Sequence, residues 1–279
     1  MSAPAGHAAG APATAAWSQE ALLPDDVGAG LLRVDLGPGV VAGFTTRHGG
    51  VSPAPWSSLD LGAGTGDDPA LVRENRARVG AWLGAPVAFA AQVHGDRVLV
   101  LGEAERAEWA SEEPPLAAGE ADAVVTVAEG LGLGALAADC VPVLVADAGA
   151  RVVGVAHAGR RGLALGVVHR LLDAMLAAGA TPSGLRAAVG PAVCGACYEV
   201  PAALRDEVAA AVPAARATTR QGTPALDLPA GVGAQLAERG VETARVARCT
   251  LEDPDLFSHR AATAAGTTTG RQAGVVVLV

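Results

Sequence analysis

The sequence predicts an α/β protein, and three observations carry that expectation. Half of its 279 residues are hydrophobic, dominated by Ala, Val and Leu with only 3% aromatic, a balance suited to Val-rich strands buried on both faces. Strand-length apolar runs alternate along the chain with segments of helical periodicity. The chain is long enough to bury a core without staples, and it shows no repeat, heptad or clean linker, so one domain is the simplest organisation.

Taken in order, residues 1–28 are rich in Ala, Pro and Gly and read as a disordered extension ahead of a domain spanning 29–279. Strands are expected at Leu31–Leu36, Val40–Arg47, Val87–Gln92, Arg97–Leu101, Ala123–Val127, Leu131–Ala137, Pro142–Ala146 and Arg151–His157, with late strands at Val241–Cys249 and Gly274–Val279. Helices are expected at Pro69–Leu83, Arg161–Ala178, Ala202–Ala211 and Ala230–Arg239. Pro69 follows the potential caps Asp67 and Asp68, where a first-turn proline is tolerated. Glu103–Gly119, which contains Glu112-Glu113-Pro114-Pro115, reads as a surface loop.

The net charge is −9, with a pI of about 5.1. Generic nucleic-acid binding and attraction to an anionic membrane are therefore disfavoured. All 20 basic residues are Arg. Without Lys, the chain has neither a Schiff-base lysine nor the lysine of a phosphate-binding P-loop. Four cysteines, no basic leader before Arg33 and no uninterrupted apolar run of membrane-spanning length point to a cytoplasmic protein with reduced thiols.

The chemistry-bearing residues lie at strand ends. His94, Cys140 and His157 supply two imidazoles and a thiol, the donor set of a zinc site that keeps one position open. Their long spacing, from 94 to 140 to 157, requires a tertiary fold to unite them. Singly, a cysteine is most often a small buried hydrophobe and a histidine a structural or surface residue. Asp139 precedes Cys140 and reads as a carboxylate orienting a ligand, as a group acting on substrate, or as a turn cap. Arg47 and Arg271 suit forked contacts to phosphate or surface ion pairs. Cys194 and Cys197 have redox or metal spacing, but Gly190-Pro191 ahead of them favours a loop with a structural role. His48 could line a pocket, His169 reads as structural, and His259 is open to either reading.

The ordered motifs Thr45-Thr46-Arg47-His48-Gly49-Gly50, Ser58-Leu59-Asp60-Leu61-Gly62, Asn75-Arg76, Gln92-Val93-His94-Gly95, Ala121-Asp122-Ala123, Ala138-Asp139-Cys140-Val141-Pro142, His157-Ala158-Gly159-Arg160-Arg161-Gly162, Tyr198-Glu199-Val200, Cys249-Thr250, Phe257-Ser258-His259-Arg260 and Gly270-Arg271-Gln272 resemble the YfiH family of laccase-domain proteins. The resemblance covers residues 31–279. It implies a layered α/β/β/α sandwich and a zinc on the positions of His94, Cys140 and His157, with copper as the alternative metal. It also implies phosphorolysis of purine nucleosides (adenosine, inosine, guanosine or methylthioadenosine), with adenosine deamination as a side activity. Purine nucleoside and phosphate would be the partners of a monomeric enzyme, with Asp139, Arg47 and Arg271 as its catalytic groups. The rival expectations are a metal-free cysteine hydrolase acting in peptidoglycan editing and a copper-dependent polyphenol oxidase. Arg160 stands where the family usually has Trp, which bears on substrate range.

Overall fold

The structure, a computed structural model, describes residues 30–111 and 113–279. The expected extension over residues 1–28 lies outside the described residues. Four layers are stacked. Strands β1 (Leu31–Val34), β2 (Val40–Thr45), β3 (Val87–Phe89), β6 (Gly132–Ala137) and β13 (Gln272–Leu278) make a five-stranded sheet in the order β1-β2-β13-β6-β3. Strands β4 (Val98–Leu101), β5 (Ala123–Thr126), β7 (Val141–Asp147), β8 (Val152–Ala158), β9 (Leu185–Val189) and β12 (Glu242–Arg245) make a six-stranded sheet in the order β12-β9-β7-β8-β5-β4. A hairpin of β10 (Arg216–Thr218) and β11 (Pro224–Leu226) stands apart.

The alternation along β7 shows how the layers are held. Leu144 and Ala146 face the five-stranded sheet and join a core with Phe44, Leu133 and Val275. Val141, Val143 and Val145 point the other way, into a second core with Leu171, Leu172, Met175 and Leu236. That core lies under helices α4 (Val167–Ala177) and α6 (Leu228–Glu238). Helix α1 (Pro69–Leu83) covers the far face of the five-stranded sheet, where Gly43 leaves room for Trp82 and Gly132 for Leu83. Every residue of β7 is buried, as a strand covered on both faces requires. A Leu144→Ala change would cost about 2–5 kcal/mol by leaving a cavity between the sheets.

Several elements depart from expectation. The predicted helix Arg161–Ala178 is two helices, α3 (Arg160–Leu165) and α4, because Gly166 adopts φ +85° between them. The first half of the expected loop 103–119 is helix α2 (Glu103–Trp109), closed at its start by Gly102 N–H donating to Glu105 at 2.7 Å and anchored by buried Trp109. Strand β9, the β10–β11 hairpin and the short α7 (His259–Ala264) were not expected. Helix α5 (Ala202–Ala211) matches its predicted bounds, and α6 starts at Leu228 because the Asp227 carboxylate accepts from Ala230 N–H at 2.9 Å.

Candidate metal centre and its cavity

Strand register builds the first cluster. In the β7–β8 pair, Pro142 lies opposite His157, which sets Cys140, one turn residue before β7, beside the end of β8. In the β5–β8 pair, Ala123 lies opposite Ala156, so Asp122 reaches the His157 ring. His94 enters from the loop after β3. The donor atoms of His94, Cys140 and His157 all lie within 4.8 Å of one another. Cys140 Sγ is 3.8 Å from His94 Nε2, and the two imidazoles meet edge to face with centroids 4.7 Å apart.

The backbone is bent to achieve this. His94 has φ 59° and Asp139 φ 89°, conformations uncommon for non-glycine residues and found where a site over-determines them. Gly159, which precedes α3, is required by close approach: a Cβ there would sit 2.7 Å from His94 Cδ2 and 3.2 Å from Cys140 Sγ. Gly162 similarly leaves room for the Gly95 carbonyl, 2.7 Å from where a Cβ would be.

Asp122 organises the cluster. Its carboxylate faces His157 Nδ1 at 2.8 Å and accepts from the backbone N–H groups of Val93, His94 and Gly95 at 3.2, 2.9 and 2.6 Å. One carboxylate thus fixes both the ring of His157 and the loop carrying His94. Burial opposes its charge, yet these hydrogen bonds hold Asp122 below the usual carboxylate range. With Nδ1 engaged, Nε2 is the His157 ring nitrogen that remains for a metal. Burial disfavours charge on Cys140 and His157 alike. Even so, their mutual attraction, with hydrogen bonds from His94 and to Asp122, brings Cys140 down to about 6 and His157 up to about 9.

The cluster opens into a cavity of about 570 Å³, lined also by Gln92, Arg76, Leu116, His259 and Arg271. Arg271 is therefore brought to the cluster. Its Nη1 donates to Thr269 and Gly270 carbonyls, both at 3.0 Å, while burial and the neighbouring Asp60 act on its charge in opposite senses, burial prevailing. Arg47 is not brought there. It donates to Ser57 O at 2.8 Å, lies over the Phe257 ring at 4.9 Å, and lines a separate depression. Asp139 stands next to the cluster with its carboxylate committed: Oδ1 accepts from Thr250 and Ser258 hydroxyls at 2.7 Å each, and Oδ2 from Arg260 N–H at 2.7 Å. The carboxylate that orients a histidine of the cluster is thus Asp122. Its signal in the sequence was a lone acid in Ala121-Asp122-Ala123 at the mouth of a strand.

Other expectations resolve in the same geometry. Asn75 is fully buried and ties the 51–60 segment together through Val51 N–H, Ser52 Oγ and the carbonyls of Ser58 and Asp60. Arg76 donates to Leu61 and Leu116 carbonyls and lies over Phe89 at 4.3 Å, with burial drawing it down to about 10. His48 pairs with Asp255 at 2.9 Å, and His169 stands 3.5 Å from Glu238 on the surface. Burial raises Tyr198 above the usual phenol range while the charges of Arg160 and Arg260 oppose that rise, and the Arg260 guanidinium lies over its ring at 5.2 Å.

A second cluster joins Cys194 and Cys197 to Cys249 and Glu252, again with donor atoms within 4.8 Å of one another. Cys249 is distant in sequence, so the spacing of the first two did not disclose it. Among the described residues no helix is long and apolar enough to cross a membrane.

Comparison with known proteins agrees with this architecture. The chain is 50% identical over 239 residues to a Streptomyces griseus protein named purine nucleoside phosphorylase ORF3, covering 84% of this chain and 93% of that one. It is 49% identical over 220 residues to a purine nucleoside phosphorylase of Mycobacterium tuberculosis, covering 77% and 84%. The crystal structure of YlmD from Geobacillus stearothermophilus superposes with a TM-score of 0.81 at 32% identity, covering 92% of this chain and 98% of that one. For protein NMB0706 of Neisseria meningitidis the TM-score is 0.76 at 33% identity, covering 89% and 99%. Residues 41–279 match the family described as multi-copper polyphenol oxidoreductase laccase, and with the strand-end His/Cys/His cluster in place the chain belongs to that laccase-domain, or YfiH, family.

Proposed function

We propose that the protein is a metal-dependent purine nucleoside phosphorylase whose site is the His94–Cys140–His157 cluster and its cavity. The observation that carries this reading is the junction of a mixed nitrogen and sulfur donor set with a cavity lined by guanidinium and imidazole side chains. The relatives named as purine nucleoside phosphorylases, at 49–50% identity, support it. The cavity lies within the roughly 300–1,000 Å³ range of small-molecule sites.

The donor set fits zinc. Two imidazoles and one thiol leave an open position, Asp122 orients one imidazole from behind, and Cys140 is already disposed to the thiolate form. His94, Cys140 and His157 would hold the ion. When bound, zinc supplies Lewis acidity at its open position. The neighbouring residues bind and position. Arg271 neutralises phosphate on one wall of the cavity. In the reaction a phosphate oxygen bonds to C1′ of the ribose as the C1′–N9 bond breaks, and the bond pair leaves with the purine. The positive charge developing on the ribose is stabilised by the anion held nearby. His259, an imidazole lining the cavity outside the ligand set, hands a proton to the departing base. Asp139, committed to Thr250, Ser258 and Arg260, positions the wall that carries His259 rather than exchanging protons.

Copper would bind the same donors more tightly by the general affinity order. A multicopper oxidase centre is disfavoured: among the described residues the two candidate clusters are one His/Cys/His trio and one group without histidine. The aligned Cys140, His157 and Asp122 favour a second reading, a cysteine hydrolase in which His157 activates Cys140 and Asp122 orients His157. Product analysis separates the two. Zinc-loaded protein is expected to yield hypoxanthine and ribose 1-phosphate from inosine only when phosphate is present, and to lose this on chelation. Free ribose formed without phosphate, or turnover that increases when metal is stripped, would sink the phosphorylase reading.

A further inference from the structure

We propose that Cys194, Cys197, Cys249 and Glu252 form a second metal site, structural rather than catalytic, that takes a zinc-class divalent cation. The topology assembles it. Strands β9 and β12 run parallel and side by side, with Val189 opposite Arg245. Their following loops therefore leave the same end of the sheet together and touch through a bridge between Ala192 and Cys249. Cys194 N–H then lies 3.4 Å from Cys249 Sγ across a gap of 55 positions.

The donor set is thiol-rich, which selects zinc among common divalent ions. Closed structural zinc sites use four protein ligands, and here three sulfurs and a carboxylate lie within 4.8 Å of one another. A tetrahedral zinc with Zn–S near 2.3 Å sets its sulfurs roughly 3.8 Å apart, so only a small contraction is needed. A disulfide between Cys194 and Cys197 would use two of these sulfurs and leave the Cys249 thiol beside it without a partner of its own chemistry. Arg220 supplies the outer contact: it donates to Cys197 Sγ at 3.2 Å and pairs with Glu252. Three thiolates and a carboxylate around a divalent ion leave net negative charge, and this guanidinium partly offsets it.

The site also has a place in the architecture. The loop beginning at Cys249 continues to Thr250 and Ser258, which both donate to Asp139. The loop carrying Cys194 meets the same turn through Val193 N–H and the Asp139 carbonyl at 3.1 Å. A metal joining these loops clips together the two segments that hold the residue next to Cys140.

The test is metal content after exhaustive dialysis of the full chain supplied with zinc, with cobalt(II) substitution as the spectroscopic readout. A Cys140→Ala variant should keep an equivalent of zinc and, with cobalt, show strong thiolate-to-metal charge transfer. Adding Cys197→Ser should remove both, with circular dichroism confirming the fold. Glu252→Gln, which leaves all three thiols, should retain metal but release it to a chelator faster. Loss of all zinc in Cys140→Ala alone, or a Cys194–Cys197 disulfide in the zinc-supplied protein by non-reducing mass spectrometry, would overturn the proposal.

Discussion

Two cysteine-containing clusters stand at opposite extremes of one chemistry. At the first, Cys140 is flanked by His157 and His94, and despite burial their charge and hydrogen bonds bring it down to about 6. At the second, burial and the neighbouring thiols Cys194 and Cys249 push Cys197 up to about 12. In the metal-free chain the same side chain is thus readied as a thiolate in one place and held as a thiol in the other, where a metal must displace its proton. The first cluster gathers Cys140 and His157 at the ends of the fully buried strands β7 and β8 and His94 from the loop after β3, opens into a cavity and has a buried carboxylate behind it. The second sits on two loops, has an exposed carboxylate among its own donors and an arginine at its rim. The difference teaches that a thiol's neighbours and support, more than the proximity of other donors, decide whether it is readied as a thiolate.

That contrast can be strained at several points. Among changes that leave the cluster intact, the largest effect is expected from His259→Gln, which removes the cavity's imidazole outside the cluster and should lower kcat for inosine by about 10²–10⁴-fold with zinc content unchanged. An unaltered kcat would remove His259 from the reaction. Asp122→Asn keeps the shape but weakens the hold on His157, and a loss of about 10–100-fold in activity or zinc affinity is expected. Metal at the thiol cluster should be untouched by it, as measured in a Cys197→Ser comparison. Gly159→Ala drives a methyl group against His94 and Cys140 and should cost about 1–3 kcal/mol in thermal or denaturant unfolding, together with activity. A tolerated alanine would mean that the cluster is looser than its contacts indicate.

The subtlest test reads the two thiol environments directly. Thiolate is the reactive form. In metal-free protein, alkylation of Cys140 should therefore rise with pH through about 6 and level off above it, falling away on the acid side. Cys197 should stay nearly inert at neutral pH and react only as pH climbs toward 12. Peptide mapping after timed iodoacetamide treatment gives both curves, and equal rates at pH 7 would erase the contrast.

The grouping of His94, Cys140 and His157 was legible through the ordered family motifs that carry them, since their long spacing alone is weak evidence of a shared site. Asp122 was visible as a motif but not as a partner, since only the β5–β8 register places it against His157. The second cluster was hidden for a related reason. Its assembly depends on β9, whose Leu185-Arg186-Ala187-Ala188-Val189 carries little β-branched signal, pairing in parallel with β12. Helix α2 was obscured by the prolines that follow it, although Glu-Ala-Glu-Arg-Ala-Glu favours helix. Arg47 and Arg271 look alike as motif arginines, and only the packing of Arg47 on Phe257 separates them. Elements with strong local periodicity were readable, while those that depend on which strands become neighbours were not.

The most direct test is the rate of ribose 1-phosphate formation from inosine and phosphate by zinc-loaded wild-type protein and Cys140→Ala, at equal concentrations of folded enzyme. The account predicts turnover by the wild type and none above background in the variant. Equal turnover by both would contradict it, because the reaction would then proceed without the cluster on which the fold converges.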